Sequence, residues 1–268
     1  MSSNIKTMMD LTARRAVVTG AAGNLGRVIV DVLAELGADL VLVDRPGSSL
    51  GVVADELRTA HRVAVDCREC DLESDESRNA LVAGLKQDYR EISVLVNNAA
   101  FVGTSALVGW GVPFAEQTVE TWRRALEVNL TASFGLCQGL HDTMAGARGA
   151  SIINVGSIYG LHGPDWGLYE GTSMANPAAY GASKGGLLQL TRWLATTIAP
   201  HVRVNAISPG GIFRNQPESF VSRYSKRTPL GRMATEEDFR GAIAFLATDL
   251  SGYVTGQNLE IDGGFGVW

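Results

Sequence analysis

The sequence predicts an α/β fold built on a doubly wound parallel sheet, and three observations carry that expectation. Short β-rich apolar runs alternate with helix-period segments from one end of the chain to the other. Several of those runs are continuous in Val, Ile and Leu, as strands covered on both faces must be. The first run ends in Thr19-Gly20-Ala21-Ala22-Gly23-Asn24-Leu25-Gly26 and passes at once into a helical pattern. A strand, a small-residue turn and a helix in immediate succession are the opening of a three-layer Rossmann-type sheet.

Taken in order, the strands are expected at residues 16–19, 39–44, 62–66, 93–97, 151–155, 202–207 and 258–261. Between the first two, Leu25, Ile29, Val32, Leu33 and Leu36 share one helical face, and Gly37 stops the helix. Long helices are expected around residues 118–144 and 178–199. Thr235 with Asp238 forms a capping box that opens a helix running to Asp249. With no repeat, linker or low-complexity tract, residues 1–268 read as a single domain. Residues 103–117, rich in Gly, Ser and Pro, and 160–177, polar and aromatic, break the regularity; loops this long in a domain usually carry function.

The balance of residues narrows the function classes. A net charge of -5 and a pI near 5.4 exclude a basic nucleic-acid or anionic-membrane surface. No apolar run reaches the ~18 residues of a membrane span, and the polar N-terminal stretch lacks a secretory pattern. The expected location is cytoplasmic. Cys67 and Cys70 form a lone CxxC, Cys137 stands apart, and the four histidines lack ligand spacing, so no metal is expected.

The chemistry concentrates in five segments. The small residues Gly20, Gly23, Asn24, Leu25 and Gly26 let backbone N–H groups approach a pyrophosphate at a helix N-terminus. Asp44 lies eighteen residues beyond Gly26, at the end of the second strand. A carboxylate there accepts from the adenosine ribose and repels a 2′-phosphate, so NAD is expected over NADP, although the adjacent Arg45 has the charge to hold that phosphate. Asn97-Asn98-Ala99-Ala100 follows the fourth strand and Ser157 the fifth. Tyr180 and Lys184 lie four apart on one helical face, which brings an ammonium near a phenol that otherwise titrates near 10.

These motifs resemble the short-chain dehydrogenase/reductase family. TGxxGxxG, Asp44, Asp71-Leu72, NNAA, Asn129, Ser157, YxxxK, Pro209-Gly210, Thr255-Gly256-Gln257 and Asp262-Gly263-Gly264 stand in the family's order over nearly the whole chain. The resemblance implies that Tyr180 is the general acid/base, Lys184 lowers its pKa and binds the nicotinamide ribose, Ser157 orients the reacting oxygen, and Asn129 holds a relay water. It adds Asp71, Leu72, Asn98, Ala99, Pro209, Gly210 and Ile212 to the cofactor contacts. It also implies a homotetramer, or a homodimer, joined through the long helices and the last strand. The implied reaction moves a hydride between the nicotinamide and a small secondary alcohol or ketone, with a sugar or polyol expected. A 3-oxoacyl reductase, a nucleotide-sugar epimerase or dehydratase, and a non-catalytic dinucleotide sensor are the alternatives.

Three departures matter. Asn24 replaces the family's commoner glycine, and Gly211-Ile212-Phe213-Arg214 replaces a frequent threonine contact. Ser157 and Tyr180 lie 23 positions apart, because residues 160–177 lengthen the segment between them. The text Tyr169-Glu170-Gly171-Thr172-Ser173-Met174 is similar to dehydrogenases of bacterial surface-sugar synthesis. In the family's substrate lid, here residues 213–229, Arg214, Arg223, Lys226 and Arg227 face one acid, Glu218. Such a charge run reads as a solvated helix face, or as arginines turned inward, Arg214 and Arg223, to hold an anionic group on the substrate.

Overall fold

The computed structural model describes residues 4–102 and 107–268; part of the 103–117 loop expected from sequence thus lies outside the described residues. Seven strands form one sheet: β1 (Arg15–Thr19), β2 (Asp39–Asp44), β3 (Val65–Glu69), β4 (Val94–Asn97), β5 (Ser151–Val155), β6 (Arg203–Pro209) and β7 (Asn258–Ile261). Their order is β3-β2-β1-β4-β5-β6-β7, and every neighbouring pair is parallel. The order reverses between β1 and β4, which opens a crevice at their carboxyl ends.

Because side chains alternate across a strand, each continuous apolar run feeds two cores. Ala16, Val18, Leu40, Leu42, Val94, Val96 and Ile153 pack on one face. Val17, Val41, Val43, Leu95 and Ile152 pack on the other. Helices α2 (Asn24–Glu35), α3 (Leu50–His61) and α9 (Arg240–Ala247) cover the first face; α4 (Asp75–Asp88), α6 (Ala132–Ala145) and α7 (Ala178–Thr197) cover the second. The short α1 (Ile5–Met9) precedes β1, while α5 (Val119–Leu126) and α8 (Glu218–Arg227) flank the carboxyl end. This is the three-layer architecture expected. Among the described residues no helix is long and apolar enough to cross a membrane.

Four local differences bear on the site. The third strand begins at Val65, three residues later than expected, because Arg62 closes α3 in the left-handed conformation with φ 57°. As an edge strand β3 buries only Val65 fully, so its polar half gives no periodic signal. Cys67 then packs toward the first core and Cys70 into the second. The two thiols face opposite sides of the sheet, and burial raises the pKa of both.

The long helix expected at 118–144 is broken: a π turn over Glu127–Thr131 separates α5 from α6. Such turns re-aim side chains, and this one carries Asn129. The segment 160–177 is not a bare loop. It contains a 3-10 turn at Trp166–Leu168, and Leu168, Tyr169 and Met174 pack with Phe220, Tyr224 and Phe265 in a third core. The Thr235–Asp238 capping box is present, but it opens a 3-10 turn, Glu236–Phe239, before α9.

Candidate active site

The turn after β1 is held by side chains of the adjacent strands. The Thr19 hydroxyl accepts from the backbone N–H groups of Asn98 and Ala99 at 3.1 Å each. Asn98 Nδ2 donates to the carbonyls of Thr19 and Gly20 at 2.9 and 3.0 Å. Gly20 sits at φ 65°, a left-handed conformation that favours glycine. At Gly26 a Cβ would lie 2.0 Å from the Gly20 carbonyl oxygen, so only a glycine lets α2 start this close to the turn. Gly23 caps α2 without a side chain, which frees the N–H groups of Asn24, Leu25 and Gly26 for an anion at the positive helix end. The cradle fits a dinucleotide pyrophosphate.

Asp44 ends β2 beside that cradle. Its Oδ2 accepts from Ala22 N at 2.9 Å and its Oδ1 from Arg45 N at 2.8 Å. The carboxylate is thus pinned against the turn, while the Arg45 side chain is exposed. Beyond β3, Asp71 is tied to Glu73 and Ser77, and Leu72 is buried. Past β6, Gly210 N donates to Ile261 O at 3.0 Å, and Ile212 bridges to Ala234. These positions line the carboxyl edge of the sheet where the sequence places its cofactor residues.

Ser157 follows β5 and accepts from Tyr159 N at 3.2 Å. The phenol of Tyr180, at the start of α7, lies close enough for the Ser157 hydroxyl to act on it. Burial raises the Tyr180 pKa; the Ser157 hydroxyl and then the Arg214 charge oppose it. Lys184, one turn along α7, is 2% exposed. Its Nζ donates to Val155 O at 2.7 Å and lies 5.8 Å from the Tyr180 ring centroid. Burial brings its pKa down to about 8. Serine, tyrosine and lysine meet at one point, as expected. In this geometry the influences that favour the phenolate come from Ser157 and Arg214.

Asn129 is buried beside the helical turn that carries Tyr180. Its side chain is fully engaged: Oδ1 accepts from Phe101 N at 2.6 Å, and Nδ2 donates to Ser183 Oγ at 3.0 Å. Ser183 Oγ donates in turn to Tyr180 O at 2.8 Å. The Asn129 amide thus ties the strand β4 exit to the helical turn that carries Tyr180.

An anion clamp is not assembled. Arg214 Nε lies 3.0 Å from Glu236 Oε1. Arg223 donates to the carbonyls of Gly167 and Glu170 at 2.9 and 2.6 Å, and Arg227 pairs with Asp165. Two of the lid's basic residues therefore fasten the 160–177 segment to α8. Residues the sequence reading passed over complete the site. Tyr224 OH accepts from Gly211 N at 2.5 Å, which anchors the lid next to Ile212, and Ser183 links Asn129 to Tyr180. Tyr224 lies four residues after Phe220, a spacing that marks a buried helix face.

Comparison with known proteins bears on the family and the fold. A family model described as Enoyl-(Acyl carrier protein) reductase matches residues 20–266. A cis-4-hydroxycyclohexanecarboxylate dehydrogenase of Sinomonas cyclohexanicum is 36% identical, over 94% of this chain and 96% of its own. An uncharacterized short-chain type dehydrogenase/reductase of Sinorhizobium fredii is 34% identical over 94% of this chain, which spans 43% of that longer protein. A solved structure titled as a putative NAD(P) dependent gluconate 5-dehydrogenase from Beutenbergia cavernae, with bound NADP, superposes with a TM-score of 0.85. It is 31% identical and covers 97% of this chain and 100% of its own.

Proposed function

Because the chain belongs to the short-chain dehydrogenase/reductase family, we propose that it is an NAD-dependent oxidoreductase acting on a secondary alcohol or its ketone. The observation that carries this is the half-buried Tyr180 phenol close to Ser157, with Lys184 one turn away, beside a glycine cradle shaped for a dinucleotide. A bound nicotinamide would supply the acceptor for the hydride of the carbinol carbon. Tyr180 takes the hydroxyl proton and Ser157 holds the oxygen. Lys184, buried and cationic below pH 8, binds the nicotinamide ribose and steadies the phenolate. Asn129 acts by positioning, through Ser183 and Phe101.

The NAD preference rests on Asp44, whose carboxylate faces the place of a ribose hydroxyl; the NADP in the gluconate dehydrogenase neighbour marks the opposing choice within the family. A sugar or polyol substrate draws support from that neighbour's name and from the likeness of residues 169–174 to surface-sugar dehydrogenases. The 3-oxoacyl reductase reading is disfavoured by Asp44 and by the long segment between Ser157 and Tyr180. The setting we propose is the cytoplasm, with small-molecule ligands as partners. A homotetramer or dimer is favoured by the exposed Val119, Trp122, Phe134 and Trp193 on α5, α6 and α7.

The test is NADH formation over a panel of secondary alcohols with the parent and Tyr180→Phe. Turnover should fall by at least roughly 10²-fold, the worth of a positioned acid/base, while NADH affinity stays unchanged. Equal turnover by the variant removes Tyr180 from the chemistry.

A further inference from the structure

Beside the catalytic group lies a cleft of about 680 Å³, within the size range of small-molecule sites. One wall is the stretch Gly111–Gln117; the other is the 160–177 segment. Ala178 and Gly181, on either side of Tyr180 along α7, also line it. Val112, Pro113, Phe114, Pro164, Trp166 and Met174 dominate its lining, and no Lys, Arg, Asp or Glu among the described residues contributes to it. Phe114 and Trp166 are 83% and 57% exposed, large apolar surfaces that a folded chain normally covers.

The polar groups in that lining are mostly spent on the protein. Gln117 donates to Val112 O at 3.3 Å and accepts from Ala178 N at 3.0 Å. Thr172 Oγ1 donates to Tyr169 O at 2.8 Å and accepts from Met174 N. Tyr159 and Tyr169 share a hydroxyl contact of 2.6 Å. The Asn176 amide, Ser173 and His162 are what the lining has left, and His162 faces Glu260 at 3.6 Å. An open-chain polyol carries several hydroxyls, and each one buried without a partner costs roughly 1–3 kcal/mol. A phosphate or carboxylate fares worse where no cation waits.

We infer that this cleft takes the apolar, uncharged body of a cyclic alcohol, an alicyclic ring lying against the faces of Trp166 and Phe114, with its carbinol turned inward to Tyr180. The inference rests on the dehydrogenase reading and names its substrate class. Oxidation breaks the carbinol C–H bond, with both electrons going to NAD as hydride, and passes the O–H proton to Tyr180, leaving the ring ketone and NADH.

The experiment uses 4-tert-butylcyclohexanol as the probe, with galactitol and xylitol for contrast. Saturation-transfer NMR on the enzyme saturated with NADH should show the ring protons in contact. Trp166→Ala and Phe114→Ala, both at exposed positions that leave the cores intact, should each weaken probe binding about tenfold, the order of one lost aromatic face. NADH affinity should not move. The parent's kcat/KM for NAD reduction should be at least tenfold higher with the probe than with either polyol. Equal or better use of a polyol, absence of probe binding, or unchanged binding in both variants overturns the apolar cleft. A variant that changes the mass in light scattering without changing probe affinity makes a second copy of the chain the occupant, and overturns it too. Trp166-dependent binding with no NADH formed from any alcohol upholds the cleft and sinks the dehydrogenase reading.

Discussion

Replacing Lys184 with methionine should flatten a specific part of the stability profile. The ammonium is buried among Val155, Tyr180 and the helix α7 backbone, and desolvation lowers its pKa from 10.5 to about 8. Below pH 8 the lysine is charged in both folded and unfolded chains, so the folded state bears the full cost of burying the charge. Between pH 8 and 10.5 the unfolded chain keeps a proton that the folded one has released, and stability rises with pH. Above 10.5 both forms are neutral and the cost is gone. At about 1.36 kcal/mol per pH unit the gap amounts to roughly 3 kcal/mol. Other titrating groups contribute equally to parent and variant, so the difference between them isolates Lys184. Urea unfolding of the cofactor-free protein at fixed concentration, from pH 7 to 10.5, should show the parent gaining roughly 3 kcal/mol relative to Lys184→Met. A difference constant to within about 0.5 kcal/mol over that range would falsify the burial argument.

Asp44→Asn removes the charge and leaves one acceptor oxygen for the Ala22 and Arg45 N–H groups, which in the parent bond separate oxygens. It should raise the NADP/NAD ratio of kcat/KM by about tenfold, and a parent that already prefers NADP would show that Arg45 dominates. Gly26→Ala places a Cβ 2.0 Å from the Gly20 carbonyl oxygen, so the turn must open. NADH affinity should drop at least tenfold, consistent with roughly 1–3 kcal/mol of overpacking; unaltered titration of NADH fluorescence would count against the cradle. Light scattering at micromolar protein should return four times the 28.5 kDa chain mass, or twice it, and a monomer would leave Trp122 and Trp193 without a partner.

The strands were legible where burial is two-sided. At β1, β2, β4 and β5 a run of apolar residues has no other reading, and the boundaries fall within a residue of expectation. β3 was expected three residues too early because an edge strand buries one face weakly, so its polar end, Arg68 and Glu69, looks like loop. Tyr180, Lys184 and Ser157 were legible because a cation-tuned phenol needs these residue types at a helix start. Contacts made across the fold were not. Nothing local to Arg223 tells that its guanidinium will bond the carbonyls of Gly167 and Glu170, residues more than fifty positions earlier. Composition alone therefore left an anion clamp open where the fold has a structural fastening. Asn129 was placed correctly near Tyr180, but its bonds run through Ser183 and the π turn, which no periodicity announces.

The fastening of residues 165–170 to α8 has a thermodynamic corollary. Tyr224, on that helix, bonds the amide of Gly211, next to the backbone expected at the nicotinamide. These contacts run as a lever from the outer wall of the cleft to Gly211, so a ligand held at Trp166 is expected to act on Gly211 and a bound dinucleotide on the wall in return. Linkage makes that influence equal in both directions. A ligand filling the cleft should tighten NADH by the same factor by which NADH tightens the ligand, and cutting the lever at Arg223 should bring both factors toward one.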